Sequence, residues 1–478
     1  MKLKKISPLC TLLFGVAVFL FFGLTYPHHL HYQEQYQLFL FDNTYVWDIV
    51  KQPGGVADLL GRFCTQFYLF AWVGAFIIAL LLSAVQLLTL RLSNSLLSTI
   101  QTPLSYGLSF VPSFLLWLFL LDEHALLGGV WAVLLTLLVF WPIITMTKGR
   151  IRCVLLIVAI PILYVLVGPV CFPIPVDSLW TGTHYYRYPT VFPWLLWAAA
   201  FSVWVLVGIA FIIRRFPKHF SHLSPLCSLL LTALVAVIMG SLVWKNANLK
   251  AEKVMQYDFM ATHQQWNRIL EAVNKEKPNN QIGVTVQNLA LAMHGVLLEQ
   301  LFNYNQNGIA GLLPDVKEDA TSPMPTAEAF YQLGMVNVAQ RTVFEAQEAI
   351  LDFQKSGRCY KRLAQTNLIN GQYEVARKYL TALQKTLFYR DWANETLQLL
   401  GNEEAIARHP EYGRLRQYAY KEDFYFSDHV TPGMLQGLYF SNTDNRLAYQ
   451  YLLAYYMLTG DREGFNKFMS IKNERDSI

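Results

Sequence analysis

Seven long apolar stretches, none carrying a charge, limit what this chain can fold into. They run over about 9–25, 67–90, 105–121, 125–146, 153–170, 191–213 and 223–243. Crossing ~30 Å of hydrocarbon takes roughly 17–25 helical residues, so each is long enough to be a span. The expected fold is all-α. A polytopic membrane bundle of about seven spans fills residues 1–243, and an α-helical, repeat-like soluble domain fills residues 244–478. The first stretch follows Lys2, Lys4 and Lys5, as in a signal peptide. Thr25-Tyr26-Pro27-His28 offers no small-x-small cleavage site, so a retained anchor is expected.

Charge supports this division. Charged residues make up 15% of the chain, against roughly 25% in ordinary soluble domains. Residues 1–243 hold thirteen Lys/Arg and seven Asp/Glu, whereas residues 244–478 hold twenty-five and twenty-six. The positive excess therefore lies in the apolar half, where basic residues in short loops set orientation. With the N-terminus inside, Lys2, Lys4, Lys5, Arg91, Lys148, Arg150, Arg152, Arg214, Arg215 and Lys218 are cytoplasmic. Only Lys51, Arg62 and Arg187 then face outward. Seven spans from an inside start put the C-terminal domain in the periplasm of a bacterium, beyond the inner membrane. No basic stripe marks that domain, so no nucleic-acid partner is expected.

The spans hold few polar groups beyond Gln86, Ser113 and Thr136, with Pro112, Pro142 and Pro161 scattered among them. Ion-coupled transporters keep ionisable residues at mid-depth, and these spans do not. Five of the six cysteines lie in or beside apolar stretches, and Cys359 alone falls in the C-terminal domain. Cys64 and Cys171 would both lie near the outer face, where they either pair or stay separate buried thiols.

The first outer loop, residues 26–66, is polar over Tyr32 to Gln37 and apolar from Leu38 to Phe41. Tyr45, Val46, Ile49 and Val50 follow at helical spacing before Pro53-Gly54-Gly55, then Val56, Leu59, Leu60 and Phe63. The pattern predicts two amphipathic helices on the membrane surface. This layout resembles that of polytopic glycosyltransferases using lipid-linked sugars, whose first outer loop carries interfacial helices and a catalytic acid. The resemblance makes Glu34, Asp42 and Asp48 the candidate catalytic acids. No Asp-x-Asp pair accompanies them, and a solvated polar edge explains the same residues. His28, His29 and His31 cluster just outside the first span, but no cysteine or spaced carboxylate completes a tetrahedral set, so no metal site is assigned. Asp122-Glu123-His124 is expected to be a hairpin tip. The aromatics of 171–190 fit an interfacial belt.

Beyond Trp244 the pattern is helical. Tyr360-x-x-Leu363-Ala364-x-x-Asn367-Leu368-x-x-Gly371-x-Tyr373-x-x-Ala376-x-x-Tyr379-Leu380-x-x-Leu383 resembles a tetratricopeptide repeat, a helix pair with small residues at its crossing. Partial matches begin at Tyr449 and Trp266, and the stretch Pro314 to Thr326 interrupts the array. Glu34 to Phe39, Pro53-Gly54-Gly55, Gln66-Phe67 and the helix from Asn288 to Phe302 resemble an uncharacterised family of bacterial multi-span membrane proteins. That likeness carries no known activity.

There is no Gly-x-x-x-x-Gly-Lys, Gly-x-Gly-x-x-Gly, His-Glu-x-x-His, Gly-x-Ser-x-Gly or Cys-x-x-Cys motif, so no cofactor is implied. Two functions remain. The first is a membrane-anchored scaffold presenting a helical-repeat domain to a periplasmic protein partner, as in envelope assembly. The second is an integral-membrane enzyme acting on a lipid-linked sugar in the first outer loop.

Overall fold

A computed structural model describes residues 3–52, 54–97, 103–146, 193–215, 225–315, 322–350, 354–420 and 432–476. The chain divides into two compact units, Met1–Leu249 and Lys250–Ile478. No β-strand occurs among the described residues, where the one bridge joins Asn307 and Ile309.

In unit 1, α1 (Leu3–Leu20) closes in a π-helical turn, Phe21–Thr25, before the short α2 (Pro27–Glu34). Then come α3 (Asn43–Val50), α4 (Gly55–Thr65) and the long α5 (Ala71–Leu97). After these are α6 (Pro103–Leu108), α7 (Val111–Phe119), α8 (Leu127–Met146), α9 (Trp194–Arg215) and α10 (Pro225–Asn246). One apolar core joins α1, α5, α7, α8 and α9, with Phe14 set edge-on to Phe110, Phe114 and Trp117.

Two helices among the described residues are long and apolar enough to cross a membrane, Pro8–Thr25 and Ala71–Ser95. A third is added if the bent pair Leu230–Asn246 and Leu249–Thr262 counts as one. The expected count of about seven is thereby corrected. The 105–121 stretch is two helices, because the chain turns at Ser109 and Phe110 ahead of Pro112. Leu127–Val139 and Trp194–Ile209 are shorter apolar stretches of helix within α8 and α9. The expected span over 153–170 and the aromatic loop 171–190 lie outside the described residues, as does Cys171. Among the described residues, Cys10 and Cys64 form no disulfide, and Cys359 is buried.

A polar cluster links the broken stretch to its neighbours. Thr11 donates to Gln86 Oε1 at 2.9 Å, Gln86 Nε2 donates to Ser109 Oγ at 2.9 Å, and Ser113 donates to the Leu82 carbonyl at 2.8 Å. In an apolar surround such bonds fix which helices meet.

Unit 2 is built from helical hairpins. Its helices are α11 (Leu249–Thr262), α12 (Trp266–Glu276), α13 (Gln281–Met293), α14 (Pro323–Leu333), α15 (Val336–Glu348), α16 (Gly357–Ile369) and α17 (Tyr373–Gln384). The series continues with α18 (Arg390–Leu397), α19 (Glu403–Arg408), α20 (Tyr412–Tyr418), α21 (Pro432–Ser441), α22 (Arg446–Thr459) and α23 (Arg462–Asp476). One turn recurs between paired helices. Gln264, Gly295, Gly334 and Gly371 take positive φ, and the next amide bonds back to the carbonyl five residues earlier. Those bonds are Gln265 to Met260, Val296 to Leu291, Met335 to Phe330 and Gln372 to Asn367, at 2.8–3.0 Å. This six-to-one closure satisfies carbonyls that a helix end leaves open. Ala364 and Ala376, on facing helices of the α16–α17 pair, are fully buried.

Candidate functional site

The first loop is docked onto unit 1. Gly61 of α4 meets Gly128 at the start of α8 so closely that a Cβ at Gly61 would lie 2.4 Å from the Gly128 nitrogen. From α2, the His29 ring bonds the Leu120 carbonyl at 2.9 Å, and Gln33 Nε2 donates to the Asp122 carbonyl at 3.2 Å. Tyr36 stacks on His124, with ring centroids 5.1 Å apart, and Thr65 donates to Gln37 Oε1 at 3.2 Å. His29, Gln33, Glu34, Gln35, Gln37, Thr65 and Gln66 are all buried. Together they form a polar layer at the end of the bundle where α1 finishes and α5 begins. Burial lowers the pKa of His29 to about 4, so it is neutral at physiological pH.

The three acids named from sequence stand in different settings. Glu34 is buried at the end of α2. Asp42 caps α3, accepting from the amides of Thr44 at 2.9 Å and Tyr45 at 3.3 Å. Asp48 is exposed on α3. His28 and His31 face each other with ring centroids 5.7 Å apart while His29 turns to Leu120. No metal-holding group occurs among the described residues.

Sequence reasoning passed over Asp58. This residue is 8% exposed, and its Oδ2 accepts from Arg62 Nε at 3.0 Å and Nη2 at 2.7 Å. Its Oδ1 is enclosed without a hydrogen-bond partner. Burial works against the charge on Arg62, but Asp58 and Tyr45 outweigh it and raise its pKa. Burial raises the pKa of Tyr45. The available signal was the i, i+4 spacing of an acid and a base within an otherwise apolar helix.

Unit 2 holds a larger polar network centred on one face of α16. Arg358 donates to Asp258 of α11 through Nη1 at 2.6 Å and Nη2 at 2.8 Å, and to Thr262 at 2.6 Å. One turn later Arg362 pairs with Glu328 of α14 and lies over the Tyr331 ring, 3.6 Å from its centroid. Glu328 also accepts from Gln332 at 2.8 Å, and Gln332 accepts from Arg414 of α20 at 3.0 Å. Lys361 sits 5.0 Å above the Trp392 ring, and burial, reinforced by Arg362, lowers its pKa. For Arg362 burial opposes the charge, yet Glu328, Tyr331 and Glu411 raise its pKa. One helix face thus ties α11, α14 and α20 together. Such paired, desolvated charges are costly to separate.

These features define an all-α protein, with apolar helices long enough to cross a membrane in one unit and helical hairpins in the other. The chain belongs to the family of unknown function DUF6057, whose model matches residues 2–478. No curated protein and no solved structure matches it.

Proposed function

We propose that the protein is a bacterial inner-membrane scaffold, with unit 2 working in the periplasm as a rigid platform for a protein partner of the cell envelope. The observation that carries this reading is the α16 network. By pairing charges with α11 and α14, and reaching α20 through Gln332 and Arg414, it holds the hairpins in one arrangement, and a preorganised surface binds with less ordering cost. The hairpins are of the tetratricopeptide kind, an arrangement that offers extended surfaces to partners. Membrane placement draws on the apolar helices of unit 1. Orientation draws on the ten-to-three excess of Lys and Arg in the segments the sequence assigns to the cytoplasm, Arg91, Arg214 and Arg215 among them. The test is purification of the full chain from gently solubilised membranes. A stoichiometric envelope protein that is lost on Arg362→Ala supports the scaffold; a chain that purifies without a stoichiometric protein removes it.

A second reading, an enzyme acting on a lipid-linked sugar, draws on Asp58. A buried carboxylate with one oxygen lacking a hydrogen-bond partner, at the end of an apolar bundle, is the group such an enzyme would turn to a substrate hydroxyl on opening. Replacement by Asn should then abolish the cellular phenotype at unchanged protein level. Full complementation by Asp58→Asn, together with amide variants of Glu34, Asp42 and Asp48, sinks the enzyme.

A further inference from the structure

The exposed apolar faces of unit 1 meet tryptophan where the polar layer begins. Trp72 is 48% exposed at the start of α5, Trp194 is 64% exposed at the start of α9, and Trp244 is 59% exposed near the end of α10. Internal contacts put them at one level. A Cβ on Gly23 would lie 2.5 Å from the Trp72 ring. Tyr26, three residues after Gly23, accepts the Asn248 amide at 2.8 Å, one turn beyond Trp244. Leu196, two residues after Trp194, covers Gly129 next to the Gly61–Gly128 contact. That contact carries α4, and α4 carries α3, whose Trp47 is 61% exposed.

To one side of this level α1, α5 and α9 expose aliphatic and phenyl side chains, among them Phe76 and Phe201. To the other side lies the buried polar layer of α2 and the 120–126 hairpin. The sequence along the bundle is therefore apolar, then indole, then polar. An indole has an apolar body and one N–H donor, which suits the headgroup boundary of a bilayer. A docked protein accounts for this less well. The tryptophans are spread over four helices, and an apolar stripe continues beyond them on α5, α9 and α10 rather than forming one rimmed patch.

We propose that this end of unit 1 lies in the phospholipid headgroup layer, with Trp72, Trp194 and Trp244 as its interfacial belt. In this arrangement α3 lies in the same layer and sets Trp47 among the lipids. The proposal rests on the membrane placement given above and adds a depth to it.

Depth-resolved quenching tests it on the full chain. Native cysteines are replaced, and single cysteines at positions 47, 72, 194, 244, 76 or 201 carry an environment-sensitive fluorophore. Each labelled protein is placed in nanodiscs of phosphatidylcholine with a minor share of phosphatidylglycerol. The discs carry a nitroxide either on the headgroup or near the chain terminus. Labels at 47, 72, 194 and 244 are expected to be quenched about twofold more by the headgroup nitroxide, and those at 76 and 201 by the deep one. Quenching of the 47, 72, 194 and 244 labels by aqueous iodide alone, or best by the deep nitroxide, overturns the belt. Loss of lipid quenching at 76 and 201 as well overturns the membrane placement itself. All six positions are surface-exposed, and Asp48→Cys is a second reporter for α3 if the label at 47 perturbs folding.

Discussion

Arg358 reaches across a hundred residues of sequence to bind both carboxylate oxygens of Asp258, at 2.6 and 2.8 Å. Asp258 is fully buried and Arg358 is 16% exposed. Because most of the pair has left water, removing one charge leaves the other largely unpaired. Asp258→Ala should destabilise the protein by about 3–5 kcal/mol, whereas the double variant Asp258→Leu, Arg358→Met should recover much of the loss. Denaturant unfolding of the full chain in detergent, followed by circular dichroism, measures both. Equal losses in the single and double variants would mean that packing, and not charge pairing, holds α16 to α11.

The recurring turns make a paired prediction. Gly371 has φ +74° and open space around its α-carbon, whereas Gly334 has φ +89° and a Cβ there would meet Tyr418 at 2.7 Å. Gly371→Ala should cost the left-handed strain alone, roughly 1–2 kcal/mol. Gly334→Ala should cost clearly more, because α20 must also move. Thermal melts of the two variants compare them; a ranking in the other order removes the role assigned to the Tyr418 contact.

At the α4–α8 contact the helix backbones touch through Gly61 and Gly128. Gly61→Ala must push the helices apart, and overpacking of this kind typically costs ~1–3 kcal/mol. The expected readout is a lower melting temperature in detergent, with Gly208→Ala as control, since a Cβ at Gly208 meets nothing within 4 Å. Matching behaviour of the two variants would show that α4 is not docked as described.

His29 gives a pH dependence of known sign. Its pKa falls from 6.5 to about 4 on folding because burial penalises the charged ring. Between those values the unfolded chain binds the proton and the folded chain does not, so stability must fall as pH falls from about 6.5 to 4. The full contribution is about 3 kcal/mol, present above pH 6.5 and lost below pH 4. His29→Gln should flatten unfolding free energy across this window. An unchanged slope in that variant assigns the effect elsewhere.

Hydropathy made α1 and α5 legible, because a long uncharged run and a long helix coincide there. It failed over 105–121, since apolar character reports the cost of transfer into lipid and says nothing about helix continuity at Ser109 and Phe110. Gly371 and the residues around it marked the α16–α17 hairpin through a local turn. Gln264 closes the same turn without glycine and left no such mark. The polar stripe Arg358, Lys361 and Arg362 carries no mark of burial in the sequence. Its partners Asp258 and Glu328 lie 100 and 34 residues away in sequence, and burial of that kind has no local signature. Asp58 was missed for a related reason: its enclosure depends on Gly61 meeting Gly128, a contact that only the fold creates.

The central claim is that unit 2 stands outside the membrane on which unit 1 depends. Reporter fusion after Ile478 tests it most directly. Alkaline phosphatase, which needs the periplasm to form its disulfides, should be active there, and a fluorescent protein that matures only in the cytoplasm should stay dark. A bright fluorescent fusion with an inactive phosphatase would place the helical hairpins in the cytoplasm and contradict the account.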